Sequence, residues 1–247
     1  MLAKDQVTRN ISGRTGKSTK YLYSGEDNKL SDEEYEAIQK VADELTDYPI
    51  YYVDHVGSVD EIEATIIEFI EDQELLYNGR GLVVTIDHIL LTKGKLGVAE
   101  KEIVDQLTHR VVSLRKRLDA AGMKVIFILL SQLNRGIESS ERVTNHNLHY
   151  PTKNDIFAAS SVFYCSDYVL ISHKPAIVEG LGKFYGPPRP SEGFPEGLPV
   201  FNPDRPDQPM IYWHLIKERF GQPKIMLMCD DFAKSSVSEW FPKEQKK

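Results

Sequence analysis

Short apolar runs separated by a helical pattern dominate the first half of the chain. Leu82–Ile86 and Val125–Leu130 are uncharged and rich in branched residues, which is typical of strands buried on both faces. Between them, apolar residues recur every three or four positions from Ile103 to Leu118, and Gly122 follows, which predicts an amphipathic helix with a glycine stop. This strand–helix–strand order predicts a parallel sheet with right-handed connections.

Two helix-start signals precede these strands. Ser31 with Glu34, and Ser58 with Glu61, each place a hydroxyl and a carboxylate three residues apart, which is the spacing of a capping box. Apolar residues at helical spacing follow each box, so we predict a helix after each one. Between these two helices we predict a strand over Ile50–Val53.

The second half of the chain has a different pattern. We predict strands over Tyr168–Ser172, Met210–Ile216 and Lys224–Met228, and the absence of helices between the last strands predicts an antiparallel extension. Residues 183–209 hold eight of the thirteen prolines. Because proline does not fit a sheet interior, we predict a long surface excursion there. The pattern predicts one α/β domain over residues 1–247, with a mostly parallel sheet flanked by helices and an antiparallel C-terminal extension.

Composition narrows the class of protein. The chain has 247 residues, of which 41% are hydrophobic, and its net charge is −7. This charge argues against indiscriminate coating of nucleic acid, although a local basic track remains compatible with it. The two cysteines form no metal or disulfide pattern, and no apolar run is long enough to span a membrane. We therefore expect a cytoplasmic protein that does not bind membranes.

Polar residues stand where the two parallel strands are predicted to end. Asp87 follows the first strand, and Ser131-Gln132-Leu133-Asn134-Arg135 follows the second. In open parallel sheets the site lies beyond the carboxyl ends of the strands. Asp87 could hold Mg²⁺ as a Walker B aspartate does, or it could simply form a turn. Gln132 could sense a phosphate or an attacking water, or it could make an ordinary loop contact.

Basic residues lie in several of the predicted loops. Lys217 and Arg219 are two residues apart at a strand end, so they project to the same side of an extended chain. They could neutralise charge on a transferring phosphoryl group, or they could belong to a solvated turn. Another set of cations, in the loops after the parallel strands, could contact a nucleic-acid backbone or only solubilise the surface: Lys93, Lys95, Arg135, Arg142 and Lys153.

Two further patterns do not predict sites. Gly13-Arg14-Thr15-Gly16-Lys17-Ser18 approaches the phosphate-loop motif G-x-x-x-x-G-K-[ST], but Ile11 stands at the first glycine position and no apolar strand precedes it. Residues 1–30 instead predict a short helix followed by a loop, with 13–18 as ordinary basic loop. His146 and His149 have no obvious further metal ligand nearby, which favours a polar loop.

Taken in order, these features resemble the C-terminal RecA-like ATPase domain of DnaB-like replicative helicases. The strongest parts of the resemblance are Leu130-Ser131-Gln132-Leu133-Asn134-Arg135 and Lys217-x-Arg219-x-Gly221. Leu30–Tyr35 is similar to the segment shortly after the family's phosphate loop, and the resemblance covers nearly the whole chain. It implies a RecA-like sheet, ATP with Mg²⁺ as cofactors, and a hexameric ring of identical subunits around single-stranded DNA.

The resemblance also implies roles for residues. Asp87 would be the Walker B aspartate that binds Mg²⁺ and the nucleotide, and Gln132 would couple the nucleotide to the DNA loops. Lys217 and Arg219 would reach the γ-phosphate bound by the neighbouring subunit.

The family's central DNA loop corresponds to residues 155–160. There the family's charged pair is replaced by Phe157 and Ala158, so a base could stack on Phe157 while backbone amides hold a phosphate. The residues expected to contact DNA are Lys93, Lys95, Arg135, Arg142, Phe157, Ala158 and Ser160.

One departure from the family concerns its phosphate loop, first strand and catalytic glutamate, which precede the region matched here. We therefore expect a fragment, one half of a split gene or a degenerate paralogue, with a separate chain supplying the phosphate loop. We expect this chain alone to hydrolyse ATP negligibly. Two other functions stay open: a non-catalytic RecA-like assembly or DNA-binding subunit, and a small-molecule kinase or nucleotide hydrolase that shares the sheet.

Overall fold

Helices and strands alternate through the first half of the chain, and strands dominate the second half. The computed structural model describes residues 3–24, 30–55, 57–157 and 159–242. The helices are α1 Ala3–Thr15, α2 Thr19–Tyr23, α3 Asp32–Thr46, α4 Val59–Asp72, α5 Glu100–Ala120, α6 Ser140–Thr144 and α7 Ala159–Cys165. The strands are β1 Leu82–Ile86, β2 Val125–Leu129, β3 Tyr168–His173, β4 Phe184–Tyr185, β5 Leu198–Pro199, β6 Phe201–Asn202, β7 Arg205–Glu218, β8 Lys224–Asp231 and β9 Ser236–Glu239.

The two predicted capping boxes begin helices as expected. Ser31 accepts a hydrogen bond from the Glu34 amide at the start of α3, and the Glu34 carboxylate accepts one from the Ser31 amide. Ser58 and Glu61 repeat this arrangement at the start of α4. A hydrogen bond from Lys17, assisted by the Ser31 amide, lowers the pKa of Glu34 to about 2. Each box satisfies amides that the first helical turn would otherwise leave open.

β1 and β2 form a parallel pair that rests on α5. The register runs from Leu82 opposite Val125 to Ile86 opposite Leu129. Leu107 of α5 is buried in a core that also contains Ile171 of β3. The predicted helix between the two strands and the parallel pairing are both confirmed.

The C-terminal strands form a larger sheet in the order β3-β7-β8-β9, with β6 also paired to β7. The β6/β7 and β8/β9 pairs are antiparallel. The α/β class and the antiparallel extension are therefore confirmed. The expectation of a mostly parallel sheet is confirmed only in part, because within the described residues the small parallel sheet contains β1 and β2 alone.

Two predictions about the chain between these sheets were wrong. Ile50–Val53 belongs to no strand, and its side chains are exposed. Residues 183–209 are not merely a surface excursion: β4 and β5 pair in antiparallel register, and Tyr185 and Leu198 are fully buried. β7 also begins at Arg205, so the excursion ends earlier than predicted. Pro199 ends the short strand β5, whereas Pro206 and Pro209 lie in the first part of β7, which pairs with the two-residue strand β6.

The basic stretch at residues 13–18 runs from the end of α1 to the cap of α2. Gly13, Arg14 and Thr15 form the last turn of α1, and Ser18 caps α2 by accepting a hydrogen bond from the Tyr21 amide at 3.1 Å. The prediction of a loop was thus wrong for residues 13–15. A phosphate-loop motif needs a strand before it, whereas helix α1 precedes Gly16, which agrees with the rejection of that motif.

The chain divides into two sets of residues with dense internal contacts. One contains Met1–Asp54, Ser172–His214 and Ile225–Lys247, and the other contains His55–Ile171 and Leu215–Lys224. The division does not test whether residues 1–247 form a single domain, which remains a prediction. In the described part of the chain, every helix is too short or too polar to cross a membrane.

Candidate functional site

The carboxyl ends of β1 and β2 meet at one edge of the parallel sheet. The Leu130 amide donates to the Ile86 carbonyl at 3.0 Å, and the Ile89 amide donates back to the Leu130 carbonyl at 3.0 Å. Asp87 and Gln132 are both exposed beyond this junction. Because the two strands are parallel and in direct register, the sequence-predicted residues after each strand come to the same edge.

Gln132 lies beside the turn that contains Asp87. Its Nε2 atom is 3.5 Å from Nε2 of His88, and the peptide bond between Asp87 and His88 is cis. The Nδ1 atom of His88 is buried and has no hydrogen-bond partner among the described residues. His88 is therefore a candidate site residue that the sequence analysis did not single out.

The segment after β2 is tied to residues 154–157 by backbone hydrogen bonds. The Phe157 amide donates to the Gln132 carbonyl at 3.1 Å, and the Asn134 amide donates to the Asp155 carbonyl at 2.7 Å. The side-chain amide of Asn134 also donates to the Asn154 carbonyl at 2.7 Å. Gln132 is therefore hydrogen-bonded through its backbone to the stretch that the family resemblance assigns to the DNA loop.

Arg142 occupies a setting unlike that expected of a DNA contact. Its side chain is only 17% exposed and forms an ion pair with Asp155, which is more deeply buried. It also donates to the carbonyls of Leu148 and Tyr150 at 2.9 and 2.8 Å. Through these contacts the Arg142 guanidinium holds together the loop between residues 142 and 155, which is a structural arrangement.

The other predicted DNA contacts are spread over several loops and the first turn of α7. Lys93, Lys95, Arg135, Lys153 and Ser160 are exposed, and Phe157 is half-buried. Lys153 lies over the ring of Tyr164, with its Nζ atom 5.8 Å from the ring centre. Ala158 lies outside the described residues.

Lys217 and Arg219 both contact the end of α7 and the residues after it. The Lys217 ammonium donates to the carbonyls of Phe163 and Tyr164 at 2.7 and 3.1 Å. The Arg219 Nε atom is 2.8 Å from Oδ1 of Asp167, and the Arg219 side chain is 48% exposed. Asp167 is a partner that the sequence could not indicate, because it lies more than fifty residues away with no motif around it.

The donor set at this edge suits Mg²⁺ bound together with a nucleotide. Among the described residues no three histidine, cysteine, aspartate or glutamate side chains are grouped to hold a metal. Mg²⁺ in nucleotide sites commonly takes one or two carboxylates, with water and phosphate oxygens completing the shell. Asp87, an exposed carboxylate at the strand end, fits that arrangement.

His149 directs its Nε2 atom to the Val143 carbonyl at 3.0 Å, as in a structural loop.

Two solved structures share this fold. The chain matches a DnaB-like replicative helicase described with its interactions with primase, at 14% identity and a TM-score of 0.71 over 98% of this chain and 50% of that one. It also matches a structure described as an ATPase domain, at 14% identity and a TM-score of 0.72 over 98% of this chain and 72% of that domain. The chain thus spans about half the length of the first structure.

Sequence comparison gives the family. No curated protein matches the chain significantly. The family model described as the DnaB-like helicase C-terminal domain matches residues 1–183, which is well over half of the chain. The chain therefore belongs to the DnaB-like helicase C-terminal domain family.

Proposed function

We propose that this chain is part of a RecA-like helicase motor, and that it couples ATP hydrolysis in a ring to movement on single-stranded DNA during replication. The observation that carries the proposal is the shared edge of β1 and β2, where Asp87 and Gln132 lie on neighbouring strand ends. Family membership supports a nucleotide at this edge.

Asp87 is assigned to the nucleotide side of the site. Its carboxylate would hold Mg²⁺ through water while the nucleotide phosphates supply further oxygens. When bound, the metal neutralises charge on the phosphates. Asp87 is followed in the chain by His88, whose Nε2 atom lies 3.5 Å from Nε2 of Gln132, so a change at the nucleotide would reach Gln132 through His88.

Gln132 is assigned to coupling. Its side chain lies at the nucleotide edge, while its carbonyl accepts from the Phe157 amide on the predicted DNA loop. Arg135 and Lys153 are exposed cations near the same segment in sequence, and each contact of this kind to a phosphate adds sequence-independent affinity. Arg142 would support the loop rather than bind DNA.

Lys217 and Arg219 are assigned to the neighbouring subunit's nucleotide. Lys217 is held by a carbonyl near the end of α7 and Arg219 by Asp167 just after it, and the half-exposed Arg219 guanidinium retains access to solvent. A phosphate from the neighbour could then replace Asp167 as the partner of Arg219. Cations placed in this way stabilise the charge that develops in phosphoryl transfer.

The test supplies the chain with a polypeptide that carries G-x-x-x-x-G-K-[ST] and measures ATP hydrolysis with single-stranded DNA. Arg219→Ala should lower turnover by about 10³-fold or more, as expected for a finger arginine. Lys116→Ala, which removes an exposed cation on α5, is the matched control and should leave turnover unchanged. Full activity of a folded Arg219→Ala variant would refute the finger role.

A non-catalytic assembly or DNA-binding subunit is the second candidate. It is favoured by the absence of G-x-x-x-x-G-K-[ST] from these 247 residues and by the existing ion pair of Arg219 with Asp167. If the mixed polypeptides bind single-stranded DNA but do not hydrolyse ATP, the result favours the non-catalytic subunit.

A further inference from the structure

A polar groove lies between α1 and the β8–β9 hairpin. On the α1 side it is lined by Gln6, Asn10 and Gly13, which are three or four residues apart and therefore share one side of the helix. On the hairpin side it is lined by Ser235 and Val237. The cavity has a volume of about 670 Å³, and its lining residues all belong to the set that does not contain β1 and β2. Small-ligand sites commonly measure roughly 300–1,000 Å³, so the size suits a small molecule.

The groove is lined by cations although the chain as a whole is acidic. Arg9 and Arg14 both line it, and among the described residues no aspartate or glutamate does. Because the net charge of the chain is −7, this lining differs from the average of the surface. The groove therefore favours an anionic ligand.

The two arginines differ in what they already bind. Arg14 donates to the Glu44 carboxylate at 3.2 Å and to the Tyr48 hydroxyl at 2.8 Å. Arg9 is exposed, and in the described part of the chain no carboxylate pairs with it. A guanidinium presents parallel N–H donors that match two oxygens of one phosphate group. Arg9 is therefore the side chain of this groove that is available for a phosphate.

The rest of the lining offers partners for hydroxyl groups. Thr19 and Ser235 carry side-chain hydroxyls, and Gln6 carries an amide that both donates and accepts. The carbonyl oxygens of Lys234 and Ser235 lie 3.5 and 3.6 Å from the position that a Cβ atom on Gly13 would occupy. Since carbonyls accept and do not donate, they favour a ligand that brings O–H donors as well as its phosphate.

Gly13 is an unexpected residue in the last turn of α1. Its φ is not positive, so the backbone does not require glycine, and glycine within a helix is less favourable than alanine. A Cβ atom at this position would make only ordinary van der Waals contacts, so packing within the chain does not require glycine either. A ligand that lies against this bare part of the helix would use the space.

We propose that this groove binds a small phosphorylated sugar, with the Arg9 guanidinium on the phosphate and the Gly13 backbone against the sugar. A cavity with a single available guanidinium matches one phosphate group, whereas a nucleic-acid backbone needs several cations in a row. The groove uses no residue of the β1 and β2 edge, so the proposal does not depend on the proposed function.

The test is a titration of the full chain with ribose 5-phosphate, followed by residue-resolved amide chemical shifts and by calorimetry. The Gly13 and Ser235 amides should shift in a saturable way, with a Kd of ~1 mM or below. Ribose lacks the phosphate and should give no saturable shift. Inorganic phosphate lacks the hydroxyl contacts and should bind at least ~10-fold more weakly than ribose 5-phosphate.

Three variants separate this site from general attraction of anions. Arg9→Gln removes a guanidinium at an exposed position and should weaken binding by ~10-fold or more, with an unchanged denaturation midpoint. Lys4→Gln removes an exposed cation of the same helix that is not among the lining residues, so it is the matched control and should bind like the unmodified chain. Gly13→Leu fills the groove from the helix side and should abolish the shift at Ser235 while the chain stays folded.

Three results overturn the proposal. One is the absence of saturable shifts at Gly13 and Ser235 up to ~10 mM ribose 5-phosphate. Another is equal affinity of the Arg9→Gln variant and the unmodified chain. The third is tighter binding at the same amides by single-stranded DNA of about 20 nucleotides, since the phosphate would then come from a nucleic acid. None of these measurements involves ATP turnover, so this proposal and the proposed function can fail separately.

Discussion

The parallel sheet and the larger C-terminal sheet differ in how completely they bury their strands. In the C-terminal sheet, Met210, Ile211 and Tyr212 follow one another along β7 and are all buried, whichever face they point to. In the parallel sheet, Ile126 and Ile128 are largely exposed although their residue type is the same. β7 of the C-terminal sheet is therefore buried on both faces along this stretch, whereas one face of β2 is exposed among the described residues.

Polar groups show the same contrast. In the C-terminal region the Tyr185 hydroxyl lies 2.7 Å from Nδ1 of His173 and 2.8 Å from Nε2 of His214, and all three side chains are buried. At the parallel edge Asp87 and Gln132 face solvent. Buried, mutually bonded polar groups fix packing, while exposed ones at a strand end remain available for a ligand.

The largest expected loss of stability is at Arg142, which the sequence assigned to DNA. Arg142→Ala should lower the free energy of unfolding by about 3–5 kcal/mol, because it leaves the buried Asp155 carboxylate without its ion pair. Arg135→Ala, at an exposed position, should change stability little and weaken binding of single-stranded DNA. Chemical denaturation and DNA titration measure both. A stable Arg142→Ala variant with reduced DNA affinity would restore the DNA role.

The comparison of the sheets is tested by one substitution in each. Ile211→Ala in β7 should cost about 2–5 kcal/mol, because Ile211 is 1% exposed and its removal leaves a cavity. Ile126→Ala in β2 should cost less than ~1 kcal/mol in the isolated chain, because that side chain faces solvent. Equal losses, measured by chemical denaturation, would show that the outer face of β2 is covered in solution.

A smaller effect concerns pH and the C-terminal region. Burial, with His173 and Arg189 nearby, lowers the pKa of His214 to about 3. As pH falls below about 6.5, the unfolded chain takes up a proton at His214 and the folded chain does not. Stability should therefore fall by about 1 kcal/mol per pH unit between pH 6 and 4.

The control for that effect is His214→Gln, which keeps a hydrogen-bonding group toward Tyr185 and removes the titration. Its denaturation midpoint should depend on pH less steeply over this window. Parallel curves for the two proteins would show that His214 contributes nothing to acid sensitivity.

Local patterns predicted the elements that local chemistry determines. The capping boxes at Ser31 and Ser58 depend on residues three apart, and the helix after β1 depends on its own apolar periodicity. The edge that unites Asp87 and Gln132 was also predictable, because parallel strands end on the same side.

Long-range partners were not predictable. Ile50–Val53 has the composition of a strand, but pairing requires a neighbour that no local pattern supplies. Tyr185 lies in a proline-rich stretch, and its buried hydroxyl is bonded to His173 and His214, which come from two other strands. Arg142 was taken for a surface cation because Asp155 lies thirteen residues away in a loop of irregular structure.

The most direct test of the central claim is ATP hydrolysis measured on the 247-residue chain alone and after addition of a polypeptide bearing the phosphate loop, both with single-stranded DNA. We predict negligible turnover by the chain alone and DNA-stimulated turnover by the mixture, which Asp87→Asn abolishes. Robust turnover by the chain alone, or an inactive mixture in which the two polypeptides are shown to bind, would contradict the account.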